Sequence, residues 1–218
     1  MSGRPAAGGG RWVAVSPARL PRWLAGFAAR HGPPEITIEA YGVRLLAPDG
    51  ATAELHRPPG APSAAGLDDF VATAQAARRL GLLLARRGAV AAGVAEGDRL
   101  MASKVDTHYV QGRTAAGGWS QRRFARRRAN QARAAASDGA DVAARLLLPQ
   151  AGTLAALVTG GDRGAIEAIL ADRRLARLAD LRDGRLLDVP EPRHAVLVDA
   201  VAAARAVRVL VREPAPPG

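Results

Sequence analysis

The chain has 218 residues and a formal net charge of +11, with a pI near 11.5. It has no cysteine, which excludes disulfides and thiolate metal sites, and its four histidines (His31, His56, His108, His194) are too scattered for a helical zinc motif. The start MSGRPAAGGG lacks an apolar signal core and no apolar run approaches the roughly 20 residues that span a bilayer, so a cytoplasmic protein with no membrane partner, no metal and no cofactor is expected.

Hydrophobic residues make up 48% of the chain and aromatics only 4%, so the core must be built from Ala, Val and Leu. So few aromatics disfavour a stacking platform for many bases. Residues 1–10 read as a flexible tail and RWVAVS as a strand. PARLPRWLAGFAARHG predicts a helix with Trp23, Leu24 and Phe27 on one face and Gly32 as its stop. EITIEAYGVRLLAP alternates enough for one long strand, and Pro48-Asp49-Gly50 followed by ATAEL predicts a hairpin. RPPGAPSAAG, from Arg57 to Gly66, is the candidate boundary. LDDFVATAQAARRL then places two acids in the first turn of a helix and two arginines near its end, both matched to the helix dipole.

GLLLARRGAVAAGVAEGDRLMASKVDTHYVQGR reads as antiparallel strands with turns at Arg87-Gly88 and Glu96-Gly97, followed by a polar loop, TAAGG. Ser120 to Ser137 is a strong helix expected to stop at Asp138-Gly139. Beyond it the pattern alternates: ADVAARLLLP helical, TLAALVTGG a strand, GAIEAILADRRLARLADL helical, RLLDV a strand, RHAVLVDAVAAARA a helix and VRVLVRE a last strand. Strands in hairpins, then strands alternating with helices, predict an α/β fold with helices on a mixed sheet. The expected organisation is a tail (1–10), a strand-helix-strand region (11–57), a linker (58–66), a main domain (67–213) and a second tail (214–218).

An excess of base this large points to a polyanionic partner, and nucleic acid is the commonest one a soluble protein meets. Lys104 is the only lysine, and GC-rich coding explains arginine over lysine but not base over acid. From Thr107 to Ser137 there is no acid, while Arg113, Arg122, Arg123, Arg126, Arg127, Arg128 and Arg133 fall in that window. Ala125, Ala129, Ala132 and Ala136, bordered by Phe124, form a small apolar stripe at helical spacing. With the stripe against the sheet, most of the arginines face solvent, where their forks suit phosphate.

The loop before this helix is rich in glycine. Gly112, Gly117 and Gly118 allow left-handed angles and close approach to another backbone. Trp119, Ser120 and Gln121 follow at once. Ser120 as N-cap would put Gln121 in the first turn, where unpaired N–H groups and a positive helix end suit an oxyanion or a held water. On chemistry alone an ordinary flexible turn into a helix fits equally well.

A glycine-rich loop carrying glutamine and leading into a basic helix resembles the catalytic loop of eukaryotic-type class-one release factors. GGWSQ followed by RRFARRRANQ resembles more specifically the Vms-like release factor group in its actinobacterial branch, the VLRF type, where a glycine pair precedes Ser-Gln. The likeness covers element order from about Gly81 to Glu213 and is sharpest from Lys104 to Gln131. Release factors of the main class carry the glutamine directly after the two glycines, whereas Trp119 and Ser120 intervene here.

The resemblance implies an RNase H-like catalytic domain and a codon-independent peptidyl-tRNA hydrolase that rescues stalled ribosomal complexes. Its partners would be the large ribosomal subunit, ribosomal RNA and peptidyl-tRNA. Gln121 would orient a water or the terminal ribose hydroxyl, with Gly117, Gly118 and Ser120 shaping the loop. Trp119 and the seven arginines would contact RNA.

The alternative from another class is a non-enzymatic basic protein that binds ribosomal or transfer RNA, with the same arginines and no need of Gln121. Strand, glycine pair and helix in TLAALVTGGDRGAIEAIL resemble a phosphate cradle but lack the lysine and Ser/Thr of a P-loop, so a tight turn is expected. Asp106 and His108 share a strand face by alternation, which predicts packing rather than acid–base work.

Overall fold

A computed structural model describes residues 4–86, 88–107 and 120–214, with side chains for all of these except 107 and 120–129. The chain forms two compact units, one of residues 1–77 with 202–218 and one of residues 78–201.

The first unit is built on β1 (Arg4–Pro5), β2 (Arg11–Val15), α1 (Leu20–His31), β3 (Glu35–Glu39), β4 (Gly42–Leu46), β5 (Thr52–His56) and α2 (Leu67–Gln75). Leu20 and Phe27 of α1 are fully buried, Trp23 and Leu24 pack beside them, and the helix stops at Gly32 with φ +87°. These side chains and Phe70 of α2 cover Val13, Val15, Val43, Leu45 and Leu55 of the sheet. A buried Phe or Leu contributes about 1.5–3 kcal/mol relative to its exposed state.

The segment expected as one long strand is a hairpin, β3 and β4, turning at Ala40-Tyr41. Gly42, at φ +151°, is what lets it turn: a Cβ there would collide with the Leu55 carbonyl oxygen. The Asp49-Gly50 turn is as expected, with Asp49 Oδ1 accepting from Ala51 N at 2.9 Å.

The second unit runs β6 (Arg79–Arg86), β7 (Ala89–Glu96), β8 (Arg99–Thr107), α3 (Ser120–Leu146), β9 (Ala156–Gly161), α4 (Arg163–Leu170), α5 (Ala176–Asp180), β10 (Arg182–Leu187) and α6 (His194–Arg205). The sheet order is β10-β9-β6-β7-β8, and β7 alone runs against the other four. This is the mixed sheet expected. α3, α4 and α5 cover one face through Val142, Ala143, Ile166, Ile169 and Leu178. α6 lies over the other, where a Cβ on Gly93 would be 3.4 Å from Leu197.

The chain then returns to the first unit as β11 (Val207–Arg212), which pairs antiparallel with both β2 and β5. The Pro/Gly run from Arg57 to Gly66 also lies within the first unit and leads into α2.

Candidate functional site

The basic segment lies on α3, and its anchorage follows from where burial begins. Asn130 to Ala134 are exposed at five successive positions, more than one full turn, so the helix is surrounded by solvent there. Ala135 and Ala136 are half-buried, and by Gly139, Ala140, Val142 and Ala143 the helix is in the core. The ten helical residues before Asn130 carry the axis about 15 Å further from this root.

One correction concerns the length of this helix. Asp138-Gly139 does not end it, and α3 continues without a break to Leu146. A Cβ on Gly139 would lie 2.7 Å from Ile169 Cδ1, 2.9 Å from Ile169 Cγ1 and 3.2 Å from Val90 Cγ2. The glycine is therefore a crossing point of α3 with α4 and β7, where absence of a side chain sets the approach. It is not a stop.

The same root carries an ionic clamp. Arg174 Nη2 lies 2.8 Å from Asp141 of α3 and 2.7 Å from Asp172. Hydrogen bonds from the Arg174 side chain and backbone hold the Asp172 carboxyl down at about 2, and the two carboxylates push the guanidinium up. A depressed carboxyl contributes stability that is complete above its ordinary value of 3.8 and is lost as pH falls towards 2. Thermal melts of wild type and Arg174→Ala should accordingly differ at neutral pH and converge between pH 4 and pH 2. A gap that stays constant across that window would count against the carboxylate as the partner.

Below the exposed stretch of α3 is a cleft of about 410 Å³. Gln131, Ala132 and Ala136 of α3, Ala85 and Val90 of the β6–β7 hairpin, and Ala165 of α4 are among its walls. The alanine stripe thus reaches the core at Ala136, while Ala132 is exposed and lines the cleft. The side chains of Ala125 and Ala129 lie outside the described residues.

Ser120 and Gln121 are the first two residues of α3, which puts Gln121 in the first turn, where backbone N–H groups have no partner within the helix. Their side chains, and those of Phe124, Arg122, Arg123, Arg126, Arg127 and Arg128, lie outside the described residues, as do Gly112, Arg113, Gly117, Gly118, Trp119, His108 and Tyr109 altogether. Arg133 is described: it is exposed, and its Nη2 donates to Asn130 Oδ1 at 3.1 Å. The sequence marks Gly139 as a helix stop and singles out neither Asp141 nor Arg174. The one available signal was a glycine inside an otherwise unbroken helical pattern.

Gly160 and Gly161 are the last two residues of β9, and the tight turn expected there is the short passage through Asp162 into α4. Gly161 has φ +92° and its Cβ would strike the Ala85 carbonyl oxygen, while Asp162 caps α4 by accepting from Ala165 N at 3.0 Å. Among the described residues no helix is long and apolar enough to cross a membrane.

The family model described as the Actinobacteria/chloroflexi VLRF1 release factor matches residues 78–210, more than half of the chain. The chain belongs to this family. The match starts at Arg78, the first residue of the second unit, and runs through α6 into β11. The VLRF1 region therefore includes the sheet, the whole of α3 and its clamp.

Among solved structures, the archaeal translation termination factor aRF1 is 21% identical, with a TM-score of 0.42 over 58% of this chain and 34% of its own. A structure described as an archaeal protein is 17% identical, with a TM-score of 0.39 over 74% of this chain and 51% of its own. The chain thus spans about a third and about half of these two neighbours. No curated protein matches.

Proposed function

We propose that this chain is a ribosome-associated peptidyl-tRNA hydrolase, a codon-independent release factor that frees nascent peptides from stalled ribosomal complexes. The observation that carries this reading is the position of Gln121 in the first turn of a basic helix, within a region of the VLRF1 release factor family. The rooting of α3 supports it, because a helix clamped at one end and solvent-surrounded further along can carry its tip into a confined RNA cavity.

In this mechanism Arg122, Arg123, Arg126, Arg127, Arg128 and Arg133 hold α3 against phosphates of ribosomal RNA and of the tRNA acceptor end. Arg113 and Trp119 contact RNA from the loop. Gly117 and Gly118 keep the loop slim enough to enter the peptidyl-transferase cavity. Gln121, with Ser120 beside it, orients a water or the terminal ribose hydroxyl next to the ester carbonyl. Water adds to that carbon, the ester C–O bond breaks, and the peptide leaves as a carboxylic acid while the tRNA regains its ribose hydroxyl. Positioning supplies the rate enhancement, so no strong base is required of the protein.

The test is to incubate the protein with ribosomal complexes holding a labelled peptidyl-tRNA and to measure peptide release alongside binding. Release above the rate of complexes alone is the expected result. Tight binding with no release would instead favour the non-enzymatic RNA-binding reading, which needs the same arginines and no glutamine.

Replacing Arg122, Arg123, Arg126 and Arg127 together by glutamine should weaken ribosome binding and flatten its salt dependence. Each lost phosphate contact removes about 0.7–0.9 from the log–log slope, so the slope should fall by about three. An unaltered slope would show that this helix face does not meet the phosphates.

A further inference from the structure

The first unit carries a second basic surface, on α1 and remote in sequence from α3. Arg19, Arg22, Trp23, Gly26 and Arg30 recur at spacings of three, one, three and four, which places them on one helical face. Together with Ser16 at the end of β2 they line a groove of about 640 Å³. Arg19, Arg22 and Arg30 are exposed, and among the described residues none of them pairs with a carboxylate. Some arginines elsewhere are paired with acids: Arg11 with Glu213 at 3.1 Å, Arg79 with Glu96 at 2.8 Å, Arg212 with Glu54 at 2.5 Å. Three like charges on one groove, left unneutralised, repel one another unless an anion enters.

Gly26 is an independent observation. Glycine in a helix interior costs stability relative to alanine, and it usually stays where packing demands it. Packing does not demand it here: the nearest group to an added Cβ would be Arg30 Nη1 at 3.5 Å, an ordinary contact, and Gly26 has no left-handed φ. The residue leaves the groove open rather than the core closed. Beside it the Trp23 ring is stacked on Phe27 at 5.7 Å between centroids and 19° between planes, which fixes one wall.

We propose that this groove receives the sugar–phosphate backbone of ribosomal RNA and is a second docking surface of the protein. The proposal rests on the ribosomal reading above. Arginine forks suit phosphate oxygens, and Arg19 to Arg30 span about 16 Å along the axis, the rise of about five stacked nucleotides. A lipid surface fits less well, because the apolar face of α1 is spent on its own core through Leu20 and Phe27 and is not free to enter a bilayer. Unit 1 is thereby a binding unit in its own right, not a mere support.

The experiment uses the full chain and purified ribosomes carrying peptidyl-tRNA, with affinity measured from 50 to 200 mM salt. The triple variant Arg19→Gln, Arg22→Gln, Arg30→Gln should bind at least tenfold more weakly at 100 mM salt, with a log–log slope shallower by about two. Gly26→Leu fills the groove, keeps every charge and suits a helix; it should weaken affinity with little change in slope. Wild-type affinity in either variant, while the α3 quadruple variant loses binding, overturns this proposal and leaves the ribosomal reading standing. Failure of the wild-type chain to bind ribosomes overturns both. Loss of binding to phosphatidylserine vesicles in the triple variant, with ribosome binding unchanged, overturns RNA as the occupant.

Discussion

Gln121→Ala is expected to lower single-turnover peptide release by about two to three orders of magnitude, the usual cost of removing one preorganised polar group from a reacting centre. Affinity for the ribosomal complex should change less than about twofold, because the phosphate contacts assigned to the neighbouring arginines supply most of the binding energy. Alanine is a better helix former than glutamine, so the substitution does not weaken the start of α3. A loss of release with binding retained therefore reports on the amide and not on folding. The measurement is the release rate of labelled peptide at saturating protein, with binding followed by co-sedimentation. Release by the variant at the wild-type rate would remove Gln121 from the mechanism, and the chain would then be an RNA-binding member of its family.

Gly139→Val should lower stability by about 2 kcal/mol, within the range for overpacking a full core. The colliding atoms are Ile169 Cδ1 and Cγ1 and Val90 Cγ2, on side chains 1% and 3% exposed, so neither neighbour has open space to move into. Gly139→Ala is the informative control. Its gain in helix propensity, about 1 kcal/mol, opposes a smaller clash, and the net change should be slight. For a chain of this size the valine variant should melt about 4–8 °C below wild type. Displacing α3 at its root also moves the helix tip, so release should fall although Gln121 is intact. A valine variant as stable as wild type would contradict the close crossing of α3 with α4.

How far the sequence foretold the structure depended on whether local signals and tertiary packing agreed. The β6–β7–β8 meander, the Asp49-Gly50 hairpin, the stop of α1 at Gly32 and the Gly161 turn all follow from residues whose own backbone preferences match their place. Where the two disagree, packing prevails. Asp138-Gly139 reads as a turn, yet Ile169 and Val90 hold it in a helix. In EITIEAYGVRLLAP the alternation continues through Ala40-Tyr41, so nothing marks the turn except Gly42, whose role depends on the distant Leu55 carbonyl. VRVLVRE was legible as a strand, but no periodicity tells which of two sheets a strand will join.

For the candidate site, the sequence located the acid-free stretch of α3 and the helix start. Its anchorage at Gly139, Asp141 and Arg174 depends on residues up to 35 positions apart in the chain, a separation that patterns of adjacent residues do not reveal.

The strand β11 lies between β2 and β5 in the first unit's sheet. Without it that sheet divides into β1-β2 on one side and β5-β4-β3 on the other. During its own synthesis, then, the protein emerges with a sheet that cannot close. The intervening residues 78–201 have to be made, and can gather their own core, before residues 207–212 arrive to join the two halves. The unit that begins first is finished last, and a chain abandoned during synthesis before β11 would leave two unpaired sheet edges exposed.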